Sequence, residues 1–264
     1  MSSDRGNLGQ YGGRTIFGPT NLYGHGVGIL MIEGYFPRPP GTIGNAMTFP
    51  FPVLHRVVRG ATGTETVRVL STLPPQSDRY RAAVAPWIDA ARELEREGVR
   101  AITTSCGFAA LFQRDLAETV SIPVFASSLM LVPLIAGMLR QGRRVGVVTA
   151  DARTLTQRHF EGAGVDPATV TVAGLEDCPH FEEVTYRDMH ELDLDRMEAE
   201  VLGVVRNLLQ RDPDIGALLL ECSLLPPYAA AIQRMTGLPV FGFTNLIAFV
   251  HGAVVRRPFA DFTV

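Results

Sequence analysis

Val99-Arg-Ala-Ile-Thr-Thr-Ser-Cys-Gly-Phe108 runs an apolar, β-branched stretch directly into a cysteine and a glycine. Asp214-Ile-Gly-Ala-Leu-Leu-Leu-Glu-Cys-Ser223 does the same with an offset of 116 residues, from Cys106 to Cys222. With the cysteines superposed, Ala101 falls on Ala217 and Ile102 on Leu218. Pro123-Val-Phe125 falls on Pro239-Val-Phe241, each proline 17 residues beyond its cysteine. Further upstream, Val27-Gly-Ile-Leu30 matches Val145-Gly-Val-Val148 at an offset of 118. Spacing kept over this length reads as an internal duplication of one strand–turn–helix–strand unit.

The rest of the chain fits that grammar. Val27–Ile32 is a short continuous apolar run, as a strand covered on both faces requires. Glu33–Pro52 is a long loop punctuated by Pro37, Pro39, Pro40, Gly41, Gly44 and Pro50. The alternation in Glu65–Ser71 predicts a second strand, and Pro86 opens a predicted helix over Trp87–Glu97 that Gly98 stops. Val99–Thr104 is the next strand, followed by a helix over Phe108–Thr119 and a strand around Pro123–Phe125. In the second half, strands are expected at Val145–Thr149, Val170–Leu175, Ile215–Leu220 and Pro239–Phe241. Asp151 is the expected N-cap of the helix after the first of these. An acidic stretch, Glu176–Asp195, leads into a helix over Arg196–Gln210, and another helix follows Pro226-Pro227 and ends near Gly237. The helix Asn245–Val255 is expected to pack back on the first half. Strands and helices alternating in this way predict an α/β fold with parallel sheets. The duplication divides it into two pseudo-symmetric lobes, 1–125 with 241–264 carrying Cys106, and 126–240 carrying Cys222. Residues 1–26 read as an extended, poorly patterned lead-in.

Composition narrows the function. The chain has 264 residues, 46% hydrophobic and 19% charged, with a net charge of −3. No basic surplus draws it to nucleic acid or an anionic membrane. The longest apolar stretch, Leu129–Leu139, is too short to span a bilayer and contains Pro133. Met1–Gln10 lacks the apolar run of a signal peptide, so the expected location is cytoplasmic. Three cysteines do not make a disulfide framework, which leaves them as thiols in a reducing compartment.

Both Cys106 and Cys222 stand where a strand turns into a helix, at the end of the sheet where α/β folds bind ligands. Free N–H groups and the helix dipole there are expected to favour a thiolate. A thiolate on one side of a carbon and a thiol on the other form a base and an acid for racemisation. The same backbone N–H groups suit a substrate carboxylate. A single cysteine more often only packs, and it is the matched pair that points to chemistry. Cys178, in the acidic stretch, has no counterpart. The chain contains no CxxC, and His180 is close in sequence to Cys178 alone, so no metal is expected. A Cys–His nucleophile would need His25, His55 or His251 to approach in space. Neither a Walker loop nor a GxGxxG fingerprint occurs, and no cofactor is expected.

Thr103-Thr-Ser-Cys-Gly107 and Leu220-Glu-Cys-Ser223, in mirrored halves, resemble the aspartate/glutamate/hydantoin racemase superfamily. The resemblance implies two α/β lobes with the site between them, no pyridoxal phosphate and no metal. It also implies that Cys106 and Cys222 form the acid/base pair. Gly41-Thr-Ile-Gly-Asn-Ala-Met-Thr48 is similar to the family's Gly-rich substrate loop, which adds Gly44 and Asn45 as substrate-binding candidates. Ser105, Gly107, Phe108, Thr149, Glu221 and Ser223 complete the candidate set. The sequence departs from the family pattern where Gly107-Phe108 follow the first cysteine, where Glu221 precedes the second, and where Ser223 follows it. The expected activity is cofactor-independent racemisation or epimerisation of an amino acid or related small carboxylate, by a chain that forms a homo-oligomer. A maleate-type isomerase, an arylmalonate-type decarboxylase and a non-catalytic two-lobed binding protein remain the alternatives.

Overall fold

Two four-stranded parallel sheets, built from successive halves of the chain, organise the computed structural model, which describes residues 21–75 and 77–256. The first holds β1 (Val27–Glu33), β2 (Val53–Thr62), β3 (Ala101–Thr104) and β4 (Val124–Phe125) in the order β2-β1-β3-β4. The second holds β5 (Arg144–Thr149), β6 (Val170–Gly174), β7 (Ile215–Leu220) and β8 (Val240–Gly242) in the matching order β6-β5-β7-β8. Most of the lead-in, the Met1–Gln10 reading and residues 257–264 of the expected first lobe lie outside the described residues.

The duplication extends to individual hydrogen bonds. Ile102 N–H donates to Pro123 O, and Leu218 N–H to Pro239 O, each at 2.9 Å. Ser105 N–H donates to Leu30 O at 2.7 Å, and Glu221 N–H to Val148 O at 2.8 Å. The residue before each cysteine is thereby tied to the central strand of its own sheet. Those central strands are closed to solvent: Val27, Ile29, Leu30, Ala101 and Ile102 in one sheet, and Val145, Val147, Val148, Leu218 and Leu219 in the other. Each valine, leucine or isoleucine among them contributes roughly 1.5–3 kcal/mol of burial, so the ends of these strands are rigid supports.

Helices α1 (Asp78–Arg96), α2 (Gln113–Ala117), α3 (Val132–Met138), α4 (Gln157–Ala163), α5 (Pro179–Thr185), α6 (Leu194–Arg211), α7 (Ala229–Thr236) and α8 (Phe243–Val254) complete the layers. α8 reaches the first sheet's side. Arg100 Nη1 donates to Val254 O at 3.0 Å, and His251 stacks on Phe51 with ring centroids 3.6 Å apart.

Four expectations are corrected. The partner of β1 is β2, not a strand over Glu65–Ser71, which is a π-helical turn (Thr64–Val69) running into a 3-10 turn. Its buried residues, Thr66, Val67, Leu70 and Ser71, repeat at a spacing of four, a helical period that the β-branched alternation masks. Helix α1 begins at Asp78, where the Ser77 hydroxyl caps Tyr80 N–H at 3.2 Å. Pro86 therefore lies inside α1, on its exposed side, where the carbonyl that it cannot pair is open to solvent. The helix expected over Phe108–Thr119 is a 3-10 helix, Gly107–Phe112, followed by the short α2. Thr156, not Asp151, caps α4; Asp151 instead accepts from Arg153 N–H at 3.0 Å and from Arg68 Nε at 3.1 Å.

Candidate active site

The two cysteine turns meet. Ser223 Oγ donates to Ser105 O at 2.6 Å, and a Cβ on Gly107 would stand 2.6 Å from Glu221 O. β3 and β7 thus deliver Cys106 and Cys222 to one shared place, and both are buried free thiols. The N–H groups of Phe108 and Ala109 act on the Cys106 sulfur, and that of Leu224 acts on Cys222.

Those N–H groups do not produce the low thiol pKa expected from the sequence. Burial first, and then the charge of Glu221, push the Cys106 thiol well up, and the same two causes push Cys222 up to about 12. The amides pull downward and lose, because a thiolate removed from water beside a carboxylate is penalised twice.

Glu221 is the group that sets this balance. Its side chain is fully buried, Oε2 accepts from Thr149 Oγ1 at 2.7 Å, and Oε1 has no partner. Burial raises its pKa from 4.5 to about 7, against the hydrogen bonds of Thr149 and the Ala150 N–H. A Cβ on Gly107 would lie 2.0 Å from Oε1, so the glycine after one cysteine makes room for the glutamate before the other. A carboxyl raised in this way binds more protons folded than unfolded between pH 4.5 and 7. Its contribution is therefore present below that window and is lost as pH rises through it, by roughly 3 kcal/mol. His159, lowered by burial from 6.5 to about 4, acts in the opposite sense. The difference between wild type and Glu221→Gln isolates the carboxyl. Chemical unfolding from pH 5 to 8 is expected to show the wild type losing stability relative to the variant. Parallel curves would refute the assignment.

The remaining candidates have distinct places. Ser105 Oγ accepts from Ile32 N–H at 2.8 Å and braces β1 against the turn. Phe108 packs edge-on against His159 with centroids 4.9 Å apart, so its ring belongs to the core and its N–H to the site. Asn45 is occupied within its loop, accepting from Met47 N–H at 2.9 Å and donating to Arg38 O at 2.8 Å. Gly44 lies beneath the Arg38 stem, where a Cβ would come within 2.6 Å of Cδ.

Two residues that bear on the thiols were missed in the sequence. Arg38 comes from the long loop after β1 and bears electrostatically on Cys222. Tyr186 follows α5, has an enclosed hydroxyl without a partner, and responds to the charge of both cysteines. The ring of Tyr186 carries the Arg68 guanidinium at 3.8 Å, and Arg68 bridges the halves by ion pairs to Asp151 at 3.1 Å and Glu182 at 2.8 Å. No motif surrounds either residue. The signals available were an arginine within a proline-rich loop and a lone tyrosine in an acidic stretch. Among the described residues, no group of three or more His, Cys, Asp or Glu side chains is placed to hold a metal ion, and no helix is long and apolar enough to cross a membrane.

The stretch that carries both buried thiols, residues 55–248, is matched by a family model, Asp/Glu/hydantoin racemase. The chain belongs to this family. A mutant of arylmalonate decarboxylase shares the racemase-family fold, with a TM-score of 0.52 at 15% identity over 88% of this chain and 97% of that one. Among curated relatives, a dimethylsulfoniopropionate lyase of Durusdinium sp. clade D is 28% identical over 240 residues, 89% of this chain and 77% of that protein. Dimethylsulfoniopropionate lyase 7 of Emiliania huxleyi (strain CCMP1516) is 31% identical over 225 residues, 81% of this chain but 63% of that protein. The family is thus described by its racemases, whereas the curated relatives named here are lyases.

Proposed function

We propose that this chain removes the α-proton of a small carboxylate with a cysteine thiolate, and that its substrate is a β-sulfonium carboxylate such as dimethylsulfoniopropionate. In this reading Cys222 is the base, because it is the thiol with a cation beside it, and the Arg38 charge stabilises its thiolate. Cys222 takes the α-proton, and the C–H electron pair forms the new carbon–carbon double bond. The bond from the β-carbon to sulfur breaks, its pair leaving with dimethyl sulfide, and acrylate remains. The leaving group departs neutral and needs no proton, so Cys106 has no acid role in this direction.

The observation that carries the reading is Glu221, a fully buried carboxyl between the two cysteine turns. Its negative charge favours a substrate that brings a cation, and a bound sulfonium in turn lowers both thiol pKa values. The curated relatives named above are lyases for such a compound, which supports the same leaving group. The test is headspace gas chromatography of dimethyl sulfide from purified chain and dimethylsulfoniopropionate, with acrylate measured in the same vial. Release in a one-to-one ratio is expected. Inertness toward this compound, together with α-deuterium exchange into an amino acid or hydantoin, would instead support the racemase reading, which the matched thiols favour.

A further inference from the structure

We propose that Arg38 is the anchor for the substrate carboxylate, holding it so that the adjacent carbon faces the sulfur of Cys222; this rests on the proton-abstraction reading above. Arg38 Nη2 is enclosed and has no hydrogen-bond partner. A buried guanidinium N–H without an acceptor is costly, and buried arginines are ordinarily paired. The carboxylate that bears on it, Asp188, turns its Oδ1 to the backbone instead, accepting from the N–H of Tyr35 at 2.7 Å and of Phe36 at 3.0 Å. Asp188 holds that grip from a left-handed backbone, φ 54, the one non-glycine residue among those described with a positive φ. It thus pins the loop to the second half of the molecule and leaves Arg38 Nη2 without an acceptor.

Arg38 is held at its head, its backbone and its stem. The Phe36 ring lies 4.2 Å from Cζ, Asn45 Nδ2 holds the Arg38 carbonyl at 2.8 Å, and the space over Gly44 is filled by Arg38 Cδ and Met31 Cε. A Cβ on Gly41 would approach Pro227 to 3.0 Å, which places the loop against the segment that follows Cys222. A preorganised fork with a free N–H matches a planar carboxylate and discriminates against a neutral amide. The enclosed Tyr186 hydroxyl is a second donor of the same kind. The substrate class that follows is a small carboxylate reacting at the carbon next to its carboxylate, with the corresponding amides and esters excluded.

Alkylation reads this property without turnover. Iodoacetate and iodoacetamide present the same reactive carbon, and with either one a sulfur–carbon bond forms as iodide leaves and the thiol proton passes to buffer. The ratio of the two rates at Cys222, followed by peptide mass in the full chain, is expected to fall at least about tenfold in Arg38→Met. The ratio at Cys178 should not move. Arg38→Lys should keep part of the preference, and propionate but not propionamide should protect Cys222 in the wild type. Those two measurements decide the matter if Arg38→Met fails to fold. An unchanged ratio in either variant, or equal protection by propionamide, overturns the proposal. A chain that releases no dimethyl sulfide yet shows the ratio retains the anchor and loses the lyase reading; the opposite result loses the anchor alone.

Discussion

Cys222→Ser is expected to lower dimethyl sulfide release by about a thousandfold, within the range that general-base catalysis contributes, whereas Cys106→Ser is expected to retain a measurable fraction of it. The asymmetry follows from the site. The Arg38 cation lies beside Cys222, and a sulfonium leaves without a proton, so one base is sufficient. Serine keeps the size of the side chain but its hydroxyl is too weakly acidic to ionise in a buried site next to Glu221. Initial rates at saturating substrate, with Cys222 and Cys106 variants measured together, check this. Equal and complete loss in both variants would show that the elimination needs Cys106 as well, and that one base is not sufficient. Equal retention would remove the cysteines from the chemistry.

Gly107→Ala is the second large effect. The added methyl would lie 2.0 Å from Glu221 Oε1 and 2.6 Å from Glu221 O. Rotation of the glutamate relieves the first contact and leaves the second, which is backbone, so one cysteine turn must shift against the other. Overpacking of this kind costs roughly 1–3 kcal/mol, and a displacement near 1 Å at a reacting group costs about a hundredfold in rate. A melting temperature lowered by several degrees together with a kcat loss of about that size is the expected result. Thermal unfolding and steady-state kinetics measure the two effects separately. An alanine variant with wild-type kcat would show that the turns are not held against each other in this way.

The duplication and the parallel sheets were legible because short apolar strands ending in the same residue type repeat at one spacing. Cys106, Cys222, Ser105, Gly107 and Glu221 could be found for that reason, since they are adjacent to the strand ends. What Glu221 does could not be read so directly. The signal was present as a pair of departures from the family pattern, a large residue before one cysteine and a glycine after the other. Only contact between the turns shows that one accommodates the other. Arg38 and Tyr186 lie in segments without periodicity, and their positions depend on long-range ties such as Asp188 to the Tyr35 and Phe36 N–H groups. The strand misassigned to Glu65–Ser71 failed for a related reason. A β-branched run carries no record of which neighbour will bury it, and the edge of the first sheet was taken by Val53–Thr62 instead.

The central claim is that the reaction begins at the α-carbon, and substrate deuterated there tests it most directly. Dimethylsulfoniopropionate carrying deuterium on the α-carbon should release dimethyl sulfide more slowly than the unlabelled compound in single-turnover measurements. Material deuterated on the β-carbon should match the unlabelled rate closely. An α-label without effect, beside a β-label that slows release, would contradict the account.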